Sequence, residues 1–319
     1  MKYDEFTELV KNRLADVCGP EFSVGVYEAL KNNSVTHKGL CIREQGSNIS
    51  PTIYMDEFYT DYCDGRGIED IVNDILRVYS ENRLCPDFET DRFADPGWVK
   101  ERLFYKLINA RQNICLLQQV PSHPVMDLAM VYGVYMGEHR GAFSSVLVRN
   151  EHMDMWGMKE EEIREKAIEN TPKLMPVEIC TMGEMLSASS IELEIPEETI
   201  PMYVMTNRMR LHGASTMLYG DILPDFARNI GTDLYIIPSS VHELILLPDD
   251  GRGDPAMLKD MISEVNDTHV DREEILSYSL YRYSMDTGKI DMAVAENGRT
   301  FSADISTDIS IAPKKVASA

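Results

Sequence analysis

Seven side chains, clustered near residues 207–215 and 239–243, are of the types that acyl transfer needs: Asn207, His212 and Ser215, then Ser239, Ser240, His242 and Glu243. The surrounding apolar runs place all seven at or near strand ends. A serine hydroxyl is a weak nucleophile until an imidazole takes its proton, and a third group must hold that imidazole in place. If adjacent strand ends converge, a serine, an imidazole and a carboxylate meet. Ser239, Ser240, His242 and Glu243 are then the catalytic candidates of a hydrolase, and Asn207, His212 and Ser215 the binding candidates. The plainer alternative is that Ser239 and Ser240 satisfy a tight corner after Pro238, with His242 and Glu243 facing solvent or a neighbouring loop. His123, between Ser122 and Pro124, is a second histidine of interest and reads as a loop residue.

Other chemistry finds no pattern to rest on. His242-Glu243 begins like a zinc-protease helix, but Leu246 stands where the second histidine belongs, so no zinc pair forms. Arg252-Gly253-Asp254 spells an adhesion tripeptide whose aspartate is already needed as a helix cap. Gly65-Arg66-Gly67 and Gly251-Arg252-Gly253 lack the third glycine or the lysine of a phosphate cradle. No metal site and no cofactor is expected. Cys18, Cys41, Cys63, Cys85, Cys115 and Cys180 are scattered without a C-x-x-C pair and read as reduced, mostly buried thiols.

The elements that must position these residues follow from apolar periodicity. Phe6, Leu9, Val10, Leu14 and Val17 mark a first helix with Asp4 as its cap, ended by Gly19-Pro20. Strands are expected over 22–30 and 35–43, and an edge strand over 49–55 because it contains Pro51. Ile68, Ile71, Val72, Ile75, Leu76 and Tyr79 keep a helical rhythm. A middle block reads as strand 101–108, helix 111–118, strands 125–136 and 142–148, and helix 159–170. Residues 171–201, with Pro172, Pro176, Pro196 and Pro201, read as a linker holding one short helix near Glu184–Leu186. The last block reads as strands 202–206 and 213–219, and a helix capped by Asp221 and ended by Gly231. Strands 233–237 and 243–247 follow, then a helix capped by Asp254 with Met257, Leu258, Met261, Ile262 and Val265 inward.

The fold class is therefore α+β, two layered units with mainly antiparallel sheets. Its expected parts are an N-terminal region 1–170, the linker 171–201, a ββαββα unit 202–290 and a polar, disordered tail 291–319.

At 319 residues the chain is long enough for about two domains of ~150 residues each. Its net charge of −22 repels nucleic-acid phosphates, whose binding draws on Lys and Arg. No nucleic-acid partner is expected. The longest uncharged apolar stretch, Leu128–Gly137, is half of the ~20 residues a membrane helix needs. Asp4, Glu5 and Glu8 interrupt what would be a signal-peptide core. The expectation is a soluble cytoplasmic protein with no membrane partner.

Five segments carry a resemblance: Asn48–Tyr54, Gln119–His123, Tyr203–Asn207, Gly213–Ser215 and, most distinctively, Tyr235–Glu243. The chain resembles a bacterial family catalogued only as a domain of unknown function and common in gut anaerobes. The likeness covers about residues 5 to 285, and the polar tail lies outside it. It implies a cytoplasmic bacterial protein of the kind found on mobile elements, and it transfers no activity. The leading expectation is a non-enzymatic accessory or interaction protein that engages another protein. The rivals are the hydrolase above and an acidic mimic of DNA with an anti-restriction role, which needs its carboxylates gathered on one elongated face.

Overall fold

The computed structural model describes residues 1–46, 50–82, 90–139, 142–188, 201–251 and 253–295, and the chain divides into two units, residues 1–90 and 91–319. In the first unit, α1 (Tyr3–Cys18) buries Phe6, Val10 and Leu14, one turn apart, and leaves Leu9 and Val17 exposed. Its first turn is held by Glu5, whose carboxylate accepts the Lys2 N–H at 3.1 Å, so Lys2 is the cap position and the expected cap, Asp4, lies two residues on, inside the first turn. Strands β1 (Phe22–Leu30) and β2 (Thr36–Glu44) pair antiparallel along their whole length, and β3 (Thr52–Tyr54) adds beyond β2 as an edge, as Pro51 requires. Helices α2 (Asp56–Cys63) and α3 (Ile68–Asn82) complete the unit. Its core joins Phe6, Val10 and Leu14 to Leu40, Ile42, Met55, Ile71 and Ile75.

In the second unit, α4 (Thr90–Phe93) and α5 (Pro96–Lys100) lead into β4 (Leu103–Asn109), α6 (Ile114–Leu117), β5 (Ser122–Val125), β6 (Leu128–His139) and β7 (Ala142–Leu147). The long β6 is the hub of a four-stranded sheet, pairing with β4, β5 and β7. Next come α7 (Asn150–Trp156), α8 (Glu160–Leu174), β8 (Val177–Thr181), α9 (Met182–Ala188), β9 (Tyr203–Asn207), α10 (Ile222–Ile230), β10 (Leu234–Ile237), β11 (Leu244–Pro248), α11 (Pro255–His269), β12 (Leu280–Ser284) and β13 (Lys289–Val294). A six-stranded sheet runs β13-β12-β10-β11-β9-β8, every pair antiparallel. One core serves both sheets, with Tyr105 and Tyr132 from one and Met205, Ile236 and Tyr281 from the other. The fold is α+β, with mainly antiparallel sheets.

Several elements differ from expectation. Residues 213–218 form a buried 3-10 turn, not a strand. His212 enters it at φ 54, and Gly213 lies so close to β9 that a β-carbon would sit 2.2 Å from the Thr206 hydroxyl. Val177–Thr181, expected within a linker, is a strand paired to β9 over its full length, with Val177 and Ile179 packed on the core. Pro176 just precedes this edge strand, where its missing N–H is harmless. Helix α8 runs past Pro172 to Leu174. The expected strand 125–136 is present from Leu128 as β6, but its first residues belong to a tight hairpin with β5, Met126 standing at φ 54 in the turn, so His123 stands on β5 and not in a loop. Residues 289–294, partly within the expected tail, form β13; residues 296–319 lie outside the described residues. On α11, Ile262 is buried with Leu258 partly so, but Met257, Met261 and Val265 point outward. The five apolar residues spread over about 140° of the helix circumference, more than one sheet face covers. Asp254 caps α11 as expected, its carboxylate accepting the Ala256 N–H at 2.9 Å, and Gly231 closes α10 at φ 82.

Candidate functional site

The strand ends do converge. Asn207 ends β9 fully buried; its side-chain oxygen accepts the Met209 N–H at 3.0 Å and the Leu211 N–H at 3.4 Å, and its amide donates to the Leu211 carbonyl at 2.8 Å. The turn so built needs Arg210 and His212 in the left-handed region, at φ 50 and 54. From there Gly213 passes against the corner between β10 and β11. In that corner the Ser239 N–H donates to the Ile237 carbonyl at 3.0 Å and the Ser240 N–H to the Glu243 carbonyl at 3.2 Å. The Ser240 Oγ accepts the His242 backbone N–H at 3.0 Å, and the Thr206 hydroxyl donates to the His242 carbonyl at 2.7 Å.

His242 is the centre of the arrangement. Its Nδ1 accepts the His212 backbone N–H at 3.2 Å, which puts the ring proton of the neutral form on Nε2. Nε2 faces a Glu274 carboxylate oxygen 3.6 Å away, while the Glu274 carbonyl takes the Val241 N–H at 2.8 Å. The His212 and His242 rings stack, 5.8 Å between centroids and 14° between planes. Burial holds the His212 pKa well below its ordinary value; Lys106 and His242, next in strength, push the same way.

Of the seven candidates, Asn207, His212, Ser240 and His242 thus meet through backbone hydrogen bonds. The imidazole of His242 hydrogen-bonds to no serine hydroxyl among the described residues: its one lone pair is taken by a peptide N–H. Ser215 is fully buried, its Oγ has no hydrogen-bond partner among the described residues, and its carbonyl accepts the Tyr105 hydroxyl at 3.1 Å. Ser239 and Glu243 are half-buried, with no side-chain hydrogen bond among the described residues. Glu274, which stands where a carboxylate partner of His242 would, carries no spacing signal that links it to the corner.

His123 sits in a second polar group. Arg164 of α8 donates to its Nδ1 at 2.7 Å, and Tyr132 of β6 donates its phenol to Glu160. Burial lowers the His123 pKa, Arg164 adds to the effect and Glu160 opposes it. Burial, then the bond to Glu160, keeps Tyr132 protonated. Here too the histidine lone pair is occupied.

A third group went unnoticed in the sequence. Asp127, in the β5–β6 turn, accepts the hydroxyls of Ser277 at 2.6 Å, Ser279 at 2.9 Å and Tyr281 at 2.6 Å. Three hydroxyls at i, i+2 and i+4 lie on one face of an extended chain, a period-two signal that was there to be read. The cysteines are not mostly buried as expected: Cys63 and Cys115 are exposed and Cys18, Cys41 and Cys180 half-buried. Partial burial raises the thiols of Cys18 and Cys180, so they stay protonated, and Cys85 lies outside the described residues. Among the described residues, no three His, Cys, Asp or Glu side chains are grouped to hold a metal ion, and no helix is long and apolar enough to cross a membrane.

A family model described as a family of unknown function, DUF5688, matches residues 3–285. No curated protein and no solved structure matches the chain.

Proposed function

We propose, for a chain that belongs to the DUF5688 family of unknown function, a non-enzymatic role: an accessory protein that works by engaging another protein, in the cytoplasm of a bacterium. One observation carries the reading. A serine hydrolase needs a histidine with a free lone pair within hydrogen-bond reach of the serine oxygen, whereas His242 spends its Nδ1 on the His212 N–H and turns Nε2 to Glu274. Ser240 likewise serves as an acceptor for a peptide N–H. The polar residues at this corner do the work of turn and cap groups, which joins β9, the 3-10 turn and the β10–β11 corner into one rigid edge. The strong negative charge supports a partner with a basic face, recruited by long-range attraction.

The test has two readouts. A fluorophosphonate probe on the native protein is expected to label Ser215, Ser239 and Ser240 no more than it labels the heat-unfolded protein. Affinity purification from the source cells is expected to return a stoichiometric partner whose recovery falls as salt rises, as screened charge pairs require. Labelling of Ser239 or Ser240 that His242→Ala abolishes would overturn the proposal in favour of the hydrolase.

A further inference from the structure

We infer that the outward face of α11 is a docking surface for a basic amphipathic helix of another protein; this rests on the interaction role proposed above and names the partner's chemistry. Met257, Met261 and Val265 stand 70%, 41% and 39% exposed. Spaced at i, i+4 and i+8, they form one continuous apolar strip about 12 Å long. Single exposed apolar residues are ordinary, but a strip along one helix line is not.

The strip is not a helix caught half-rolled. Ile262 is buried against Tyr235, Ile237, Leu247 and Leu280, and Asn266, equally buried, donates its amide to the Ser277 carbonyl at 3.0 Å. That hydrogen bond fixes the rotation of α11 about its axis. Turning the methionines inward would orphan it and pull Ile262 out of the core.

The charges beside the strip decide what covers it. Asp260, Glu264 and Asp267 run along one flank. Asp260 and Glu264 are exposed and hold no ion pair among the described residues, while Asp267 accepts the Tyr278 hydroxyl at 2.8 Å. A second copy of this chain would bring two acidic rows together. An anionic membrane surface would be repelled by the same row and by the net charge of −22. A helix with Leu or Met on one line and Lys or Arg beside it satisfies both features at once, and unbranched methionines adapt to such anchors.

The probe is a synthetic Leu/Lys peptide of about 14 residues, long enough to be helical when bound, read by fluorescence anisotropy against the full chain. Its controls are the same residues scrambled to destroy the amphipathic line and a Leu/Glu version of the same pattern. The amphipathic peptide is expected to bind about tenfold tighter than the scrambled one. Met257→Ser with Met261→Ser, both at exposed positions, is expected to remove that advantage, and Asp260→Lys with Glu264→Lys to shift preference to the Leu/Glu peptide. Equal binding of scrambled and amphipathic peptides, or indifference to both variant pairs, overturns the inference. So does Met261-dependent dimerisation in sedimentation, or Met261-dependent binding to phosphatidylglycerol vesicles. Each such failure, with the serines still unlabelled by fluorophosphonate, leaves the non-enzymatic reading standing.

Discussion

The carbonyl of His242 and the hydroxyl of Thr206 approach Gly213 so closely that an added methyl would lie 2.2 Å from each. One of those neighbours is backbone and cannot rotate away. Gly213→Ala is therefore expected to lower the unfolding free energy by about 3 kcal/mol, the upper range for overpacking, measured by urea denaturation. His212 makes a second prediction. Its folded pKa lies below the unfolded value of about 6.5, with burial the main cause. Its neutral form is favoured by the fold, so above that pH it has no effect on the slope. As the pH drops below about 6.5 the unfolded chain binds a proton that the folded one refuses, and stability falls by up to about 1.4 kcal/mol per pH unit until the folded pKa is reached. His123 and His152, lowered in the same direction by burial, add to the slope. His212→Asn keeps a residue tolerant of positive φ and is expected to flatten the acid limb of the stability–pH curve, read by thermal melts in steps from pH 7.5 to 4.5. The sequence places Asn207, His212, Ser240 and His242 in one neighbourhood. It could not say that the His242 lone pair would be used by a peptide N–H, because that depends on a left-handed turn five residues after the end of β9.

Among the elements, the β5–β6 hairpin and β12 are joined by one carboxylate. Asp127 accepts three hydroxyls from a segment 150 residues away in the chain. Asp127→Asn replaces one acceptor oxygen by a donor facing hydroxyl groups, and is expected to cost about 2–3 kcal/mol in a urea titration, the scale of hydrogen bonds to charged groups. Ser277→Ala removes one donor and is expected to cost less, about 1 kcal/mol. Apolar period gave the existence of most helices and strands correctly, since it is written into neighbouring residues. It fails where a proline reads as punctuation or a glycine as an ordinary strand residue. Pro176 precedes a strand that, among the described residues, pairs on one side alone, and Pro172 sits near the end of a helix whose Thr171 is fully buried and tied to β4 through the Tyr105 N–H at 3.0 Å. Gly213, read as part of a strand, is a point of close backbone approach.

Taken as a whole, the molecule carries 53 acidic against 31 basic residues, and crowding that charge into a folded volume costs free energy that dissolved ions relieve. Its thermal midpoint is expected to rise between 10 and 150 mM sodium chloride, as the screening length shrinks from about 30 to 8 Å; a flat or falling midpoint would show that ion pairs outweigh the repulsion. By itself the sequence determined the α+β class, the antiparallel character of the strands and the exclusion of familiar phosphate-binding and zinc motifs. Each of these is set by residues within a few positions of one another, where period and spacing carry the information. The tertiary structure decided which side of α11 meets the sheet, which nitrogen of His242 is occupied and which carboxylate gathers the Ser277, Ser279 and Tyr281 hydroxyls. Those outcomes depend on distances between residues far apart in the chain. They are fixed only when a whole sheet buries its apolar face and its polar groups take the partners left within reach.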